Sequence, residues 1–148
     1  MREHFRALAV HQALFHKTLT DSWKSPTSAQ AATLADALVN DGLWLTKFPL
    51  LFTPSYGVER LDAWNKVRQT APPDAAETIA LRRLVDADMV RFVLRLTEHD
   101  LQTRVEIFWG GRAMNKPLWQ YVAGWFERGA VLRGRHSSSL TLFDTVFS

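Results

Sequence analysis

Between Arg2 and Ser22 the apolar residues Phe5, Leu8, Phe15 and Leu19 recur at helical spacing, which predicts a helix with one buried seam. Gln12 falls in that seam where an apolar residue is expected, and His16 lies beside it, whereas His4 and His11 share a flank away from it. The residues Ser25-Pro26-Thr27-Ser28 then offer a helix start, and AQAATLADALV predicts a short helix that Asn40-Asp41-Gly42 interrupts or ends. The following LWLTKFPLLFTPSYG is apolar but carries Pro49 and Pro54, so it predicts an irregular buried segment. Thr53-Pro54 suits the cap and first turn of a further helix, reaching about Gln69, with Val58, Leu61 and Trp64 or Asn65 inward.

Thr70-Ala71-Pro72-Pro73 breaks the chain, and Asp74 with Glu77 forms an acidic capping pattern for a helix to about Thr97. Its core stripe is Leu81, Leu84, Val85, Met89, Phe92 and Leu96, with Arg82, Arg83, Asp86, Arg91 and Arg95 placed mainly elsewhere. Asp88 falls within the stripe's angular range, so its carboxylate needs a partner or an edge position. Glu98 to Leu101 closes this helix, and VEIFW, Gly110-Gly111 and RAMN predict a small hairpin.

Lys116 to Gly134, KPLWQYVAGWFERGAVLRG, predicts the last long helix, with Pro117 in the first turn and Gly134 at the exit. Leu118, Tyr121, Val122, Trp125, Gly129 and Leu132 form one apolar stripe, and Trp119, Ala123, Phe126 and Ala130 form a second. Only Gln120, Glu127 and Val131 mark an outward face, so the helix is expected inside a bundle or shared with a second subunit. The apolar tail SSSLTLFDTVFS is expected to fold over the helices or join an interface.

Composition narrows the classes. With 148 residues, 47% of them apolar, the chain reads as one domain, 1–148, with an ordinary core. Its 18 basic and 15 acidic residues are well mixed, so no basic face points to nucleic acid. The absence of cysteine excludes disulfides, thiolate metal sites and cysteine nucleophiles. No apolar run approaches the roughly 20 residues of a membrane span, and the N-terminal MREHFRALA lacks a signal-peptide core, so a cytoplasmic protein without membrane contact is expected.

HFRALAVHQALFHKTL, the EHDLQTRV turn before the hairpin, and PLWQYVAGWFERGAVLRG together resemble the DinB-like superfamily, which includes YfiT-type proteins and bacterial thiol S-transferases. The resemblance implies an all-α, up-and-down four-helix bundle with a small hairpin before the last long helix, commonly a homodimer. It also implies a metal held by three histidines, two of them four apart on the last helix ahead of an Arg-Gly pair. Counted back from Arg133-Gly134, those places hold Arg128 and Leu132, with Gly124 one turn earlier, and none of these is an ordinary metal ligand. No histidine lies between His16 and His99, and His4, His11, His16, His99 and His136 contain no i, i+4 pair. Neither a metal nor another cofactor is therefore expected.

What remains is a polar set, Gln12 and His16 on the first helix, Asp88 on the third, and Gly124, Arg128 and Leu132 on the last. One reading makes it a central pocket for an anionic or polar small molecule, in a binding protein or a metal-independent enzyme. There Gly124 makes room, Arg128 orients the anion, and His16, or else His11, moves protons with Asp88. The other reading makes Arg128 and Asp88 a structural ion pair and gives Gln12 and His16 helix-to-helix hydrogen bonds. A homodimeric interaction protein without activity and a metal-dependent thiol transferase are the remaining alternatives.

Overall fold

The computed structural model describes residues 1–48, 63, 65–67, 69–70 and 73–137, with the side chains of 135–137 excepted. The predicted irregular segment beyond Phe48, most of the helix after Thr53-Pro54, and the apolar tail lie outside the described residues. The described part is mostly helical: α1 (Arg2–Asp21), α2 (Ser28–Lys47), α3 (Ala75–Arg95), a short α4 (Glu98–Gln102), strands β1 (Arg104–Trp109) and β2 (Arg112–Pro117), and α5 (Leu118–Ser137). Among the described residues no helix is long and apolar enough to cross a membrane.

Local chemistry sets most boundaries. Thr27 and Gln30 form a reciprocal capping box that starts α2, and the Asp74 carboxylate accepts from the Glu77 amide at 2.8 Å to start α3. Thr97 and Asp100 form a second box, which makes Glu98–Gln102 a separate turn of helix rather than the end of α3. Gly110 and Gly111 both take positive φ, 58° and 78°, as the two-residue loop of a tight antiparallel hairpin requires.

The helix α2 runs on through Asn40-Asp41-Gly42, where the sequence predicts an interruption. Intrinsic preference is overridden there, because the Asp41 side chain is buried and held by partners on three other helices. In packing, α1 lies against α3, α3 against α2, and α2 against α5, which also touches α1. The core between them is aromatic, with Phe48 stacked on Phe92 at 5.0 Å and Trp125 on Phe126 at 5.6 Å. The predicted inward stripe of the last helix is buried throughout its apolar members, whereas Leu84, expected in the core stripe of α3, is exposed. The hairpin is moored to α5 by Tyr121, whose hydroxyl lies 2.9 Å from the carbonyls of both Val105 and Met114.

Candidate functional site

The centre of the helices holds a charged network. Arg82 of α3 is fully buried and donates to Asp86, one turn along its own helix, at 2.6 Å and to Asp41 of α2 at 2.7 Å. Asp86 also faces His16 of α1, whose Nδ1 is 3.0 Å away. The other Asp41 oxygen accepts from the Trp125 indole at 2.5 Å, and Gln12 donates to Asp41 at 3.2 Å while accepting from Arg133. Side chains of α1, α2, α3 and α5 thus converge on one guanidinium and its two carboxylates.

The electrostatics are those of a closed salt-bridge cluster. Burial alone pushes Asp86 upward, but Arg82, and then His16, outweigh it and hold its pKa below the usual carboxylate range. Burial likewise opposes the charge of Arg82, yet Asp86 and Asp41 more than compensate and raise its pKa. For His16 burial dominates, reinforced by Arg82, so its pKa is lowered despite Asp86. The imidazole is neutral near pH 7, and the adjacent carboxylate selects the tautomer that carries the hydrogen on Nδ1. Arg82 Nη1 is buried without an acceptor among the described residues.

The structure divides the predicted site residues. Gln12 and His16 are both buried in the interior, but their partners are Asp41 and Arg133 for Gln12 and Asp86 for His16, rather than Arg128. His11 is exposed, on the flank of α1 beside the seam. Asp88 is buried and accepts from Arg91 at 3.4 Å, so the expected Asp88–Arg128 pair is replaced by a contact within α3. Gly124 and Arg128 are exposed, and only Leu132 points inward. The reason is angular: along a helix of about 3.6 residues per turn, steps of four advance roughly 40°, so 124, 128 and 132 spiral from the outer face to the core. Among the described residues, Gln12 and His16, two of the polar groups expected to line a central pocket, are bonded into the network.

The metal of the family that the chain resembles does not fit this interior. The guanidinium of Arg82 already supplies positive charge between Asp41 and Asp86, and no group of three potential ligands is present among the described residues. Comparison with other proteins adds no assignment. No family model, curated protein or solved structure matches the chain.

Gly124 and Arg128 instead belong to a cleft on the outer flank of α5, between α2 and the hairpin, of about 420 Å³. Trp44 of α2 and Trp109 of β1 stack at 4.7 Å with planes 12° apart and form one wall. Tyr121 forms another, with the Lys116 ammonium 4.8 Å from its ring centre. Lys47 lies over the Trp109 ring at 5.9 Å. Gln120 and Met114 complete the rim, and Asn40 lines the cleft with an amide nitrogen buried without an acceptor among the described residues. No carboxylate is among the described lining residues, so Lys116 and Arg128 leave the cleft positive.

Sequence reasoning placed Gly124 and Arg128 in a central pocket, whereas they line this outer cleft, and it did not register the aromatic wall, because Trp44, Trp109 and Tyr121 come from three separate elements. It also missed Arg82 and Asp86 as interior groups. Their spacing of four was available as a signal, since an Arg and an Asp one turn apart on an apolar stripe can enter the core as a pair.

Proposed function

We propose that the protein binds a small anion with a planar apolar body in the cleft between α2, the hairpin and α5. The observation that carries the reading is the combination of stacked indoles, two lining cations, an amide donor without an acceptor, and no acid group, among the described residues of this cavity. The volume of 420 Å³ falls within the range of small-molecule sites, about 300–1,000 Å³. The ligand's ring lies against Trp109 and Tyr121, its carboxylate or phosphate meets Arg128 and Lys116, and Asn40 donates the directional hydrogen bond. Binding is favoured over catalysis because His16, the proton-moving candidate, is 3% exposed and committed to Asp86, away from the cleft.

In this reading the four long helices form an up-and-down bundle of DinB-like ancestry, in which Arg82 takes the central place of a cation. The ring of helix contacts and the hairpin ahead of α5 support that ancestry.

Calorimetric titration with 2-naphthoate and 2-naphthyl phosphate tests the site. Saturable binding is expected, weakened about tenfold, or about 1.4 kcal/mol, by Arg128→Ala and by Lys116→Gln. Arg128 is exposed, so the melting temperature of Arg128→Ala should stay close to that of the wild type. Loss of stability in step with loss of binding, or affinity indifferent to both substitutions, would sink the proposal.

A further inference from the structure

A second cavity, of about 460 Å³, opens between α1 and α5. Its walls are apolar, supplied by Phe5 and Leu8 of α1 and by Trp119, Ala123 and Phe126 of α5. Arg133 also lines it, half-buried, with one amino group committed to the Gln12 side chain. No carboxylate forms an ion pair with this guanidinium among the described residues, although Glu127 and His4 also line the cavity from exposed positions. The hydrogen-bond partner of Arg133 among the described residues is a neutral amide, and burial lowers the pKa of the guanidinium, although the nearby Asp41 charge works against this.

We infer that this cavity is a binding site for an amphipathic monocarboxylate, whose apolar chain fills the space between Phe5, Leu8 and Phe126 and whose carboxylate pairs with Arg133. The physical reasons are complementary. A guanidinium partly stripped of water gains most from a bidentate anion, and an alkyl chain gains about 25 cal/mol for each Å² of apolar surface removed from water. A neutral amphiphile satisfies only the second condition, and a polar anion only the first. The Gln12 contact fixes one side of the fork by tying it to Asp41, so the guanidinium is oriented before the ligand arrives.

Decanoate and 1-decanol, titrated calorimetrically below their aggregation concentrations, distinguish the outcomes on the full chain. Decanoate is expected to bind saturably and at least tenfold more tightly than decanol. Arg133→Gln should remove that preference while leaving weak decanol binding. Because Arg133→Gln disturbs the contact with Gln12, Ala130→Phe provides a second test: Ala130 is exposed at the rim, so a bulky ring there blocks the cavity without entering the core. Equal affinity for decanoate and decanol, or decanoate binding that survives both substitutions, overturns the inference. A homodimer that Ala130→Phe dissociates, with no decanoate binding by the wild type, assigns the cavity to a second copy and also overturns it.

Discussion

Arg82 and Asp41 stand 41 positions apart in the chain and meet at 2.7 Å, both with 2% exposure or less. The contact ties α3 to α2 through a charge that water does not reach, so its value lies in what remains when one side is removed. Arg82→Met leaves Asp41 and Asp86 buried without their shared cation. A loss of about 3–5 kcal/mol in urea denaturation is expected. Arg82→Lys should recover only part of that, because an ammonium cannot reproduce the planar fork that serves two carboxylates.

The pH dependence of stability follows from His16. Its folded-state pKa is depressed by burial and by Arg82, so below the ordinary value of 6.5 the unfolded chain takes up a proton that the folded chain refuses. This cost is absent above about pH 6.5 and grows as pH falls below it, with a slope of at most about 1.4 kcal/mol per pH unit for one proton. Asp86 acts lower: its folded pKa is depressed from 3.8, so the stability it contributes is present above that value and is lost as pH falls through the folded pKa. Denaturation curves between pH 7.5 and 5 should show a His16-dependent decline. His16→Asn should flatten that range while leaving the acid transition of the carboxylates.

The apolar pattern made much of this legible beforehand. The seam of α1, the inward stripe of α5, the two-glycine hairpin and the Asp74 cap all rest on local spacing, and local spacing survives folding. The charged interior was less legible, because binary patterning assigns Arg82 and Asp86 outward and cannot register that each is the other's partner. Gln12 in an apolar seam was the visible trace of the network, while Asp41 was read as part of a breaker. The aromatic cleft is a product of tertiary assembly, with Trp44 and Trp109 brought together only when the hairpin docks on α2 and α5.

Two glycines of α5 should respond oppositely to alanine. Gly124 faces open space, so Gly124→Ala gains helix propensity and is expected to stabilise by up to about 1 kcal/mol. At Gly129 an added Cβ would lie 2.8 Å from Gln12 Oε1 and 3.2 Å from Arg133 Nη1. The Gln12 end must move, and it is held by Asp41 on its other side, so the loss of network geometry should exceed the propensity gain. A thermal melt that rises for Gly124→Ala and falls for Gly129→Ala is the expected result, and a rise for both would show that the Gln12–Arg133 contact contributes little.

Tyr121 links the hairpin to the aromatic cleft, and its removal separates stability from binding. Tyr121→Phe keeps the ring beneath Lys116 but withdraws the hydroxyl that approaches Val105 and Met114 at 2.9 Å. One hydrogen bond of this kind contributes about 0.5–1.5 kcal/mol, so a modest stability loss is expected. The larger consequence is local: with the hairpin less firmly moored, Trp109 and Met114 hold their places in the cleft less well. Amide exchange along β1 and β2 should quicken in this variant while exchange in α1 and α3 stays unchanged. Affinity for 2-naphthoate should fall even though no residue assigned to the anion has changed. Unchanged affinity together with faster hairpin exchange would place the binding energy on Arg128 and α2, independent of the strands.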